Sequence, residues 1–346
     1  MKIYSFLAAL ICGLLLAAMI TGAFWAGNRY RKTSIVCPEN RIEEEEYADL
    51  SPYTIEILAN TWVIEGEIEL VEEIEERDKC ISYKFSHSFD PTLEYKDPAK
   101  VRRVTGIINK PKSTEKGGAV LMIRGYVDQL IYESGMGTER AAEVFCDNGY
   151  ITIAPDYLGY GGSDSEAGNI FETRFQTYST TLSVLAAMQS IQQWDNKNLY
   201  IWGHSNGGQI ALTLLTITET TYPTSLWAPV SKGFPYNVLF YTDESDDGGK
   251  LIRSELAKLE EKYDSRKFSF REYTDRIKAP IIIHQGTGDT SVPAGWSREI
   301  YNMLANREDV ETKLYEYQGA DHNLVPNWSE VVKRDLEFFG EFHINY

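Results

Sequence analysis

The segment YIWGHSNGGQIAL, from Tyr200 to Leu212, contains a tight corner between two kinds of secondary structure. The apolar residues before the corner predict a buried strand, and those after it predict a helix. A direct turn from strand to helix strains the backbone at the turning residue, here Ser205, and crowds its neighbours two residues away. Gly203 and Gly207 occupy those neighbouring positions. The pattern predicts a serine raised clear of the backbone at the N-terminus of a helix.

The order of apolar segments around this corner predicts an α/β fold with a mostly parallel sheet and helices on both faces. Buried strand-like runs, such as GGAVLMIRG and APIIIHQG, alternate with segments of helical periodicity. Residues 231–275 interrupt this alternation with glycines, aspartates and a charged amphipathic helix, and we expect them to form an insertion over the active site. Reacting groups of such sheets lie beyond the carboxyl ends of the strands, where the corner serine falls.

The Gly-x-Ser-x-Gly pattern is that of a nucleophile elbow, which makes Ser205 the candidate nucleophile. A serine hydroxyl needs a general base, and His322 lies in the loop YQGADHNLVP after the last predicted strand. That loop is where the base belongs in a chain order of serine, aspartate and histidine. The other histidines lie in the corner itself, in an apolar strand, before the sheet core or in the tail: His204, His284, His87 and His343.

The base in turn needs a carboxylate that fixes its tautomer and stabilises its cation. Asp289 follows the apolar strand PIIIHQ in the segment GTGDTSVP, and Asp321 stands directly beside His322. Adjacent residues seldom orient one another's rings well, so we expect Asp289 to be the acid and Asp321 to be the weaker candidate. The strand end in LWAPVS offers no carboxylate.

Four motifs together, APDYLGYGGSD, GHSNGG, GTGDTSVP and GADHN, resemble in order and spacing those of the α/β-hydrolase superfamily. More narrowly, residues 100–346 resemble the catalytic domain of prolyl-oligopeptidase-type serine peptidases. The resemblance implies a metal-free and cofactor-free triad of Ser205, Asp289 and His322, and an oxyanion hole made by the backbone N–H groups of Asn206 and Tyr126. Two departures are evident: arginine replaces the usual histidine before Gly125, and the chain before residue 100 is too short for a β-propeller.

These residues predict a serine hydrolase that forms an acyl-enzyme on a small peptide or ester substrate. The resemblance favours a peptidase slightly over a carboxylesterase, and a catalytically inactive hydrolase fold used for binding is a third alternative. The start of the insertion carries aromatic residues that either wall an apolar pocket above Ser205 or pack the insertion onto the sheet: Phe234, Tyr236, Phe240 and Tyr241. Tyr157 and Tyr160 are further candidates for substrate contact.

An apolar run without charges extends from Ile3 to Ala26. Its length suits a membrane-spanning helix, which needs about 20 residues, better than the roughly 7–15 apolar residues of a signal peptide. We therefore expect residues 1–27 to be a single-pass anchor with the catalytic domain outside the cytoplasm, and a cleaved signal with secretion as the alternative. Residues 28–100 are expected to form a stalk and acidic extension, and residues 101–346 the catalytic domain.

Charge and cysteine content limit the partners and the compartment. The formal net charge of −17 repels phosphate backbones, so we expect no nucleic-acid binding. Cys37 and Cys80 flank the acidic region and could pair if the domain is exported, or could remain free thiols. Cys146 lies on an apolar helical face and is expected to be an unpaired core residue.

Overall fold

The computed structural model describes residues 47–113 and 115–344, in one compact unit that begins at Tyr47. The strands in this part of the chain are β1 (Glu69–Glu76), β2 (Cys80–Phe89), β3 (Arg102–Pro111), β4 (Gly117–Ile123), β5 (Ile151–Pro155), β6 (Trp194–His204), β7 (Thr224–Trp227), β8 (Ile281–Gly286) and β9 (Thr312–Tyr317). The α-helices are α1 (Ile55–Asn60), α2 (Glu139–Asp147), α3 (Ile170–Ala187), α4 (Asn206–Thr218), α5 (Tyr236–Leu239), α6 (Lys250–Lys262), α7 (Ala294–Ala305) and α8 (Trp328–Glu341).

All of these strands join one sheet in the order β1-β2-β3-β5-β4-β6-β7-β8-β9. The pairings from β1 to β5 along this order are antiparallel. Every pairing from β5 to β9 is parallel. The predicted mostly parallel α/β sheet is confirmed, and its parallel part brings the carboxyl ends of β6, β8 and β9 to the same edge.

The core lies on both faces of the sheet because the central strands carry apolar residues without interruption. Successive residues of β4 face opposite sides: Leu121 belongs to the buried cluster that includes α3 and α4, and Met122 to the cluster that includes α2 and α8. Every residue of β5 and β8 is buried. This burial on both faces explains why these strands have continuous rather than alternating apolar sequences.

Two strands of the sheet, β1 and β2, lie within the expected stalk and acidic extension. β2 pairs with β3 along its whole length, from Cys80 opposite Pro111 to Phe89 opposite Arg102. β1 forms the outer edge and is exposed at every residue, on both of its faces. The expected anchor at 1–27 and the first part of the expected stalk and acidic extension, residues 28–46, lie outside the described residues. Among the residues described, no helix is both long and apolar enough to span a bilayer.

A disulfide bond joins Cys80, the first residue of β2, to Cys146 in α2. Their Cα atoms lie 6.2 Å apart although 66 residues separate them in sequence. Cys146 is buried, as expected of a core residue, but it is paired rather than free, and Cys80 is paired with it and not with Cys37. The reason is tertiary: α2 packs beside β2 and β3, which brings together two cysteines that the sequence separates.

Candidate active site

The corner that the sequence predicts is present between β6 and α4. Ser205 has φ 55° and ψ −119°, a backbone conformation that is strained for any residue other than glycine. A Cβ atom at Gly203 would lie 2.7 Å from the carbonyl oxygen of Gly207, and one at Gly207 would collide with the backbone of Ile123. Both glycines are therefore required sterically, and the serine stands at the N-terminus of α4.

His322 and Asp289 are brought together from two loops at the carboxyl edge of the sheet. The His322 Nδ1–H donates to Asp289 Oδ2 at 2.8 Å, and the other carboxylate oxygen accepts the N–H groups of Ser291 and Val292 at 2.8 and 2.9 Å. Burial by itself raises the pKa of Asp289, but the hydrogen bond from His322 and those from the backbone outweigh it and hold the pKa below its ordinary value. The carboxylate stays ionised beside the imidazole.

The rival carboxylate, Asp321, is directed into its own loop. Its Oδ1 accepts the backbone N–H groups of Asn323 and Val325, each at 2.9 Å. These bonds hold the turn in which His322 stands. Of the two carboxylates that the sequence offers, the structure brings Asp289 and not Asp321 to the imidazole.

His204, the residue before Ser205, connects the corner to the loop of His322. Its Nε2–H donates to the backbone oxygen of His322 at 3.0 Å, and the two imidazole rings lie 4.7 Å apart. Burial, together with the neighbouring His322, lowers the pKa of His204 to about 4. His204 is therefore neutral at neutral pH and adds no charge next to the base.

The remaining histidines are occupied elsewhere. His284 in β8 is completely buried, as expected of a core residue: its Nδ1 accepts from the Tyr317 hydroxyl at 2.8 Å and its Nε2–H donates to Asp335 at 2.9 Å. The other two are hydrogen bonded to different residues: His87 bonds Ser183 in α3 at 2.7 Å, and His343 bonds Tyr200 in β6 at 3.0 Å.

A cavity of about 280 Å³ opens beside the corner. Gly125, Tyr126 and Asn206 are among its lining residues. A Cβ atom at Gly125 would lie 3.1 Å from the Cβ of Ser205 and 3.3 Å from the backbone oxygen of His204, so the glycine lets this loop approach the corner closely. The structure thus brings both candidate oxyanion residues, Asn206 and Tyr126, to one cavity next to the serine.

Arg124 has a role that the sequence did not reveal. It is buried, and it donates to the carbonyl oxygens of Gly125 and Asp156 at 2.9 Å each. Its guanidinium also lies 4.1 to 5.1 Å from the ring centres of three tyrosines: Tyr160, Tyr132 and Tyr157. These contacts fix the loop that carries Gly125 and Tyr126. The arginine in the usual histidine position is therefore a support of that loop.

The insertion contributes aliphatic rather than aromatic residues to the cavity. Val238 and Ile252 line it, and the four aromatic residues suggested by the sequence do not. Phe234 is buried against Phe171, Phe175 and Phe268, and the other three cluster around Trp296: Tyr236, Phe240 and Tyr241. Phe234 therefore packs the insertion against the domain, whereas Tyr236 and Phe240 stay largely exposed beside Trp296. Tyr157 and Tyr160 do line the cavity.

Within the described part of the chain, no group of three or more His, Cys, Asp or Glu side chains is placed to hold a metal ion. The groups at the corner are instead a hydroxyl, an imidazole and a buried carboxylate. These are the types of group that proton transfer from a serine requires.

Comparison with known proteins relates this arrangement to enzymes of known structure. The sequence profile of the prolyl oligopeptidase family matches residues 137–343. A search of curated proteins finds no match.

Solved structures share the fold at low sequence identity. Acetyl xylan esterase 1 from a Thermoanaerobacterium species has a TM-score of 0.62 and 14% identity, over 86% of this chain and 94% of that one. An acetyl xylan esterase from a Paenibacillus species has a TM-score of 0.59 and 18% identity, over 82% and 91%. Est1E from Butyrivibrio proteoclasticus, solved with ferulic acid bound, has a TM-score of 0.51 and 17% identity, over 69% and 95%.

Proposed function

We propose that this chain, which belongs to the prolyl oligopeptidase family and is a serine hydrolase, acts as a carboxylesterase with Ser205 as nucleophile, His322 as base and Asp289 as acid. The observation that supports the proposal most directly is the 2.8 Å hydrogen bond between His322 and Asp289. It lies at the same sheet edge as a serine held in the strained conformation of a nucleophile elbow.

In the proposed reaction the Ser205 hydroxyl attacks the ester carbonyl and His322 accepts its proton. The backbone N–H groups of Asn206 and Tyr126 receive the negative charge that develops on the carbonyl oxygen. His322 then gives the proton to the departing alcohol, and a water molecule activated by the same histidine releases the acyl group. Asp289, ionised because its pKa is low, stabilises the imidazolium at each stage.

An ester is proposed rather than a peptide, which reverses the slight preference drawn from the resemblance. Peptide cleavage requires the backbone to be held in register and the poor leaving amine to be held near the base. The insertion brings only Val238 and Ile252 to the cavity. This chain covers 94% and 91% of the two acetyl xylan esterases named above. A chain of this length is therefore long enough to form an esterase of that kind.

The peptidase remains the second candidate, because the matched family is named for oligopeptidases. Two substrates that share an acyl group separate the candidates: p-nitrophenyl acetate and acetyl-p-nitroanilide. We expect the enzyme to hydrolyse the ester and to leave the anilide nearly untouched. Comparable kcat/KM values for anilides of short peptides would favour the peptidase instead.

A fluorophosphonate probe tests the nucleophile itself. It should label the wild-type chain and should not label Ser205→Ala, whose thermal unfolding should remain cooperative. A folded wild-type chain that resists labelling would favour the third alternative, an inactive hydrolase fold.

We also propose that the catalytic domain works outside the cytoplasm. The buried Cys80–Cys146 disulfide supports an oxidising compartment, and the apolar run before residue 27 supports a membrane anchor, with secretion as the alternative. Fractionation of cells that express the full chain tests this. Full-length chain with an intact N-terminus in the soluble fraction would contradict the anchor.

A further inference from the structure

An arginine side chain at the cavity beside Ser205 has only long hydrogen bonds within the described residues. Arg174, in the second turn of α3, lines the cavity. Its Nη2 lies 3.4 Å from both Asn206 Oδ1 and Gln209 Oε1, longer than an ordinary hydrogen bond of about 2.7–3.2 Å. Its Nε is buried without a hydrogen-bond partner. An arginine held this loosely can exchange its amide contacts for a better acceptor.

Arg174 differs from every other arginine in the described ranges in the partners that it does have, although Arg77, Arg124 and Arg276 also have a buried Nε without a hydrogen-bond partner. The others contact a carboxylate, a backbone carbonyl or an aromatic ring, as Arg298 does with Glu316 and Arg140 with Trp328. Arg174 has only the two long amide contacts and makes no ion pair within those ranges. A half-buried cation without a carboxylate partner is costly unless a ligand supplies one.

The other charges at the cavity do not neutralise Arg174. Arg124 is bound into its own loop near the buried carboxylate of Asp156, which itself accepts three hydroxyl hydrogen bonds. Glu166 is exposed and accepts from Gln129 at 3.0 Å. The N-terminus of α4 adds its partial positive charge at the same wall. The part of the cavity around Arg174 and Asn206 is therefore suited to an anion.

We infer that Arg174 binds a carboxylate on the acyl part of the substrate, so that half-esters of short dicarboxylic acids are preferred. The inference rests on the proposed esterase function and assigns its substrate class. Arg174 contacts Asn206, the residue after the nucleophile, so a carboxylate on the guanidinium lies only a short chain away from the reacting carbonyl. Apolar lining residues such as Ile210 and Val238 can contact the methylene groups between the two ends.

The test compares p-nitrophenyl esters of glutaric acid and of pentanoic acid, which share chain length and leaving group and differ in one terminal carboxylate. Wild-type enzyme should have the higher kcat/KM on the glutarate half-ester. Arg174→Gln should lower the ratio of the two kcat/KM values on the order of 10- to 100-fold, the loss expected for a hydrogen bond to a charged group. Arg174→Lys should restore part of the ratio. The control Arg298→Gln, which removes a surface ion pair with Glu316, should leave the ratio unchanged.

Equal losses on both esters in Arg174→Gln would overturn the inference, since they would indicate that the arginine only supports Asn206. Calorimetry separates this failure from failure of the proposed function. With monomethyl glutarate as the probe, the Ser205→Ala variant should bind, and Ser205→Ala combined with Arg174→Gln should not. Arg174-dependent binding without turnover of any ester by wild type would refute the esterase and retain the anion site. Turnover of both esters without Arg174-dependent selectivity or binding would retain the esterase and refute the site.

Discussion

Two histidine–aspartate pairs lie in this molecule with nearly the same hydrogen bond, 2.8 Å for His322–Asp289 and 2.9 Å for His284–Asp335. The second pair has both side chains fully buried, whereas the His322 side chain is 21% exposed. Nδ1 of His284 accepts a hydrogen bond from the Tyr317 hydroxyl. In contrast, no described residue is hydrogen bonded to Nε2 of His322. The two similar hydrogen bonds show that a carboxylate can orient an imidazole both in the core and at the candidate active site. Access to the other ring nitrogen decides whether the imidazole can move a proton.

The surroundings of the two aspartates differ in the same way. Asp335 in α8 also accepts from the Ser225 hydroxyl at 2.6 Å and from the Trp227 indole at 2.8 Å, so it connects a helix to β7 and β8. Asp289 accepts mainly from its own loop and from His322. We therefore expect Asp335 to contribute to stability and Asp289 to contribute to turnover.

The largest expected effect is on catalysis by Asp289→Asn. The amide cannot hold the imidazole in the required tautomer or stabilise its cation, so kcat should fall on the order of 10⁴-fold. The melting temperature should change little. Measurements of kcat on p-nitrophenyl acetate and of thermal unfolding check both statements. A variant with normal kcat would remove Asp289 from the proposed triad.

Asp335→Ala should show the opposite behaviour. It leaves the His284 and Trp227 N–H groups and the Ser225 hydroxyl buried without their acceptor, which should lower the free energy of unfolding by about 3–5 kcal/mol. The kcat per folded molecule should stay near the wild-type value. Urea unfolding and active-site titration with the fluorophosphonate probe provide the two measurements. Lost turnover at unchanged stability would reverse the roles of the two pairs.

A third expected effect is a loss of stability in acid that originates mainly at His204, beside the candidate active site. Burial lowers the pKa of His204 from 6.5 to about 4, so between these values the unfolded chain binds a proton that the folded chain does not. This contribution is complete above pH 6.5 and is lost as the pH falls toward 4. The lowered pKa of Asp289 acts in the same direction at still lower pH.

Urea unfolding at a series of pH values measures this dependence, and His204→Gln should make it shallower. An identical pH dependence in wild type and variant would show that His204 titrates alike in the folded and unfolded chains.

The smallest expected effect is that of replacing Asp321, the carboxylate next to His322 in sequence. Asp321→Asn keeps an acceptor oxygen for the N–H groups of Asn323 and Val325, so kcat should fall less than about tenfold and stability by about 1 kcal/mol or less. The same kinetic and unfolding assays apply. A loss of kcat as large as that of Asp289→Asn would show that the acid had been assigned to the wrong residue.

The parts of the fold and site that the sequence could predict are those encoded in short segments. The corner around Ser205, the loop of His322 and the turn of Asp289 each have a local pattern with a steric or hydrogen-bonding cause. The core assignment of His284 depended only on its apolar strand. These features need no knowledge of which distant segments meet.

The remaining features depend on tertiary packing and could not be predicted. The Cys80–Cys146 disulfide requires α2 to lie beside β2, and nothing near either cysteine encodes that contact. Arg174 lies in a helix that is largely buried on several sides, so periodicity did not single out the face toward the cavity. The sequence shows Arg124 only as a departure from the family pattern. The three tyrosines whose rings its guanidinium contacts come from different positions in the chain.

The composition of the edge strand β1 affects the tendency of the protein to aggregate through its sheet. An unpaired sheet edge is a template onto which strands of other molecules can add, and growth by such addition produces fibres. Five of the eight residues of this strand are glutamate, and its pairing with β2 is irregular between Leu70 and Glu72 and again between Glu73 and Glu75. A second copy would bring like charges into register along a distorted edge. The acidic and irregular β1 therefore disfavours the addition of a second copy at this edge of the sheet.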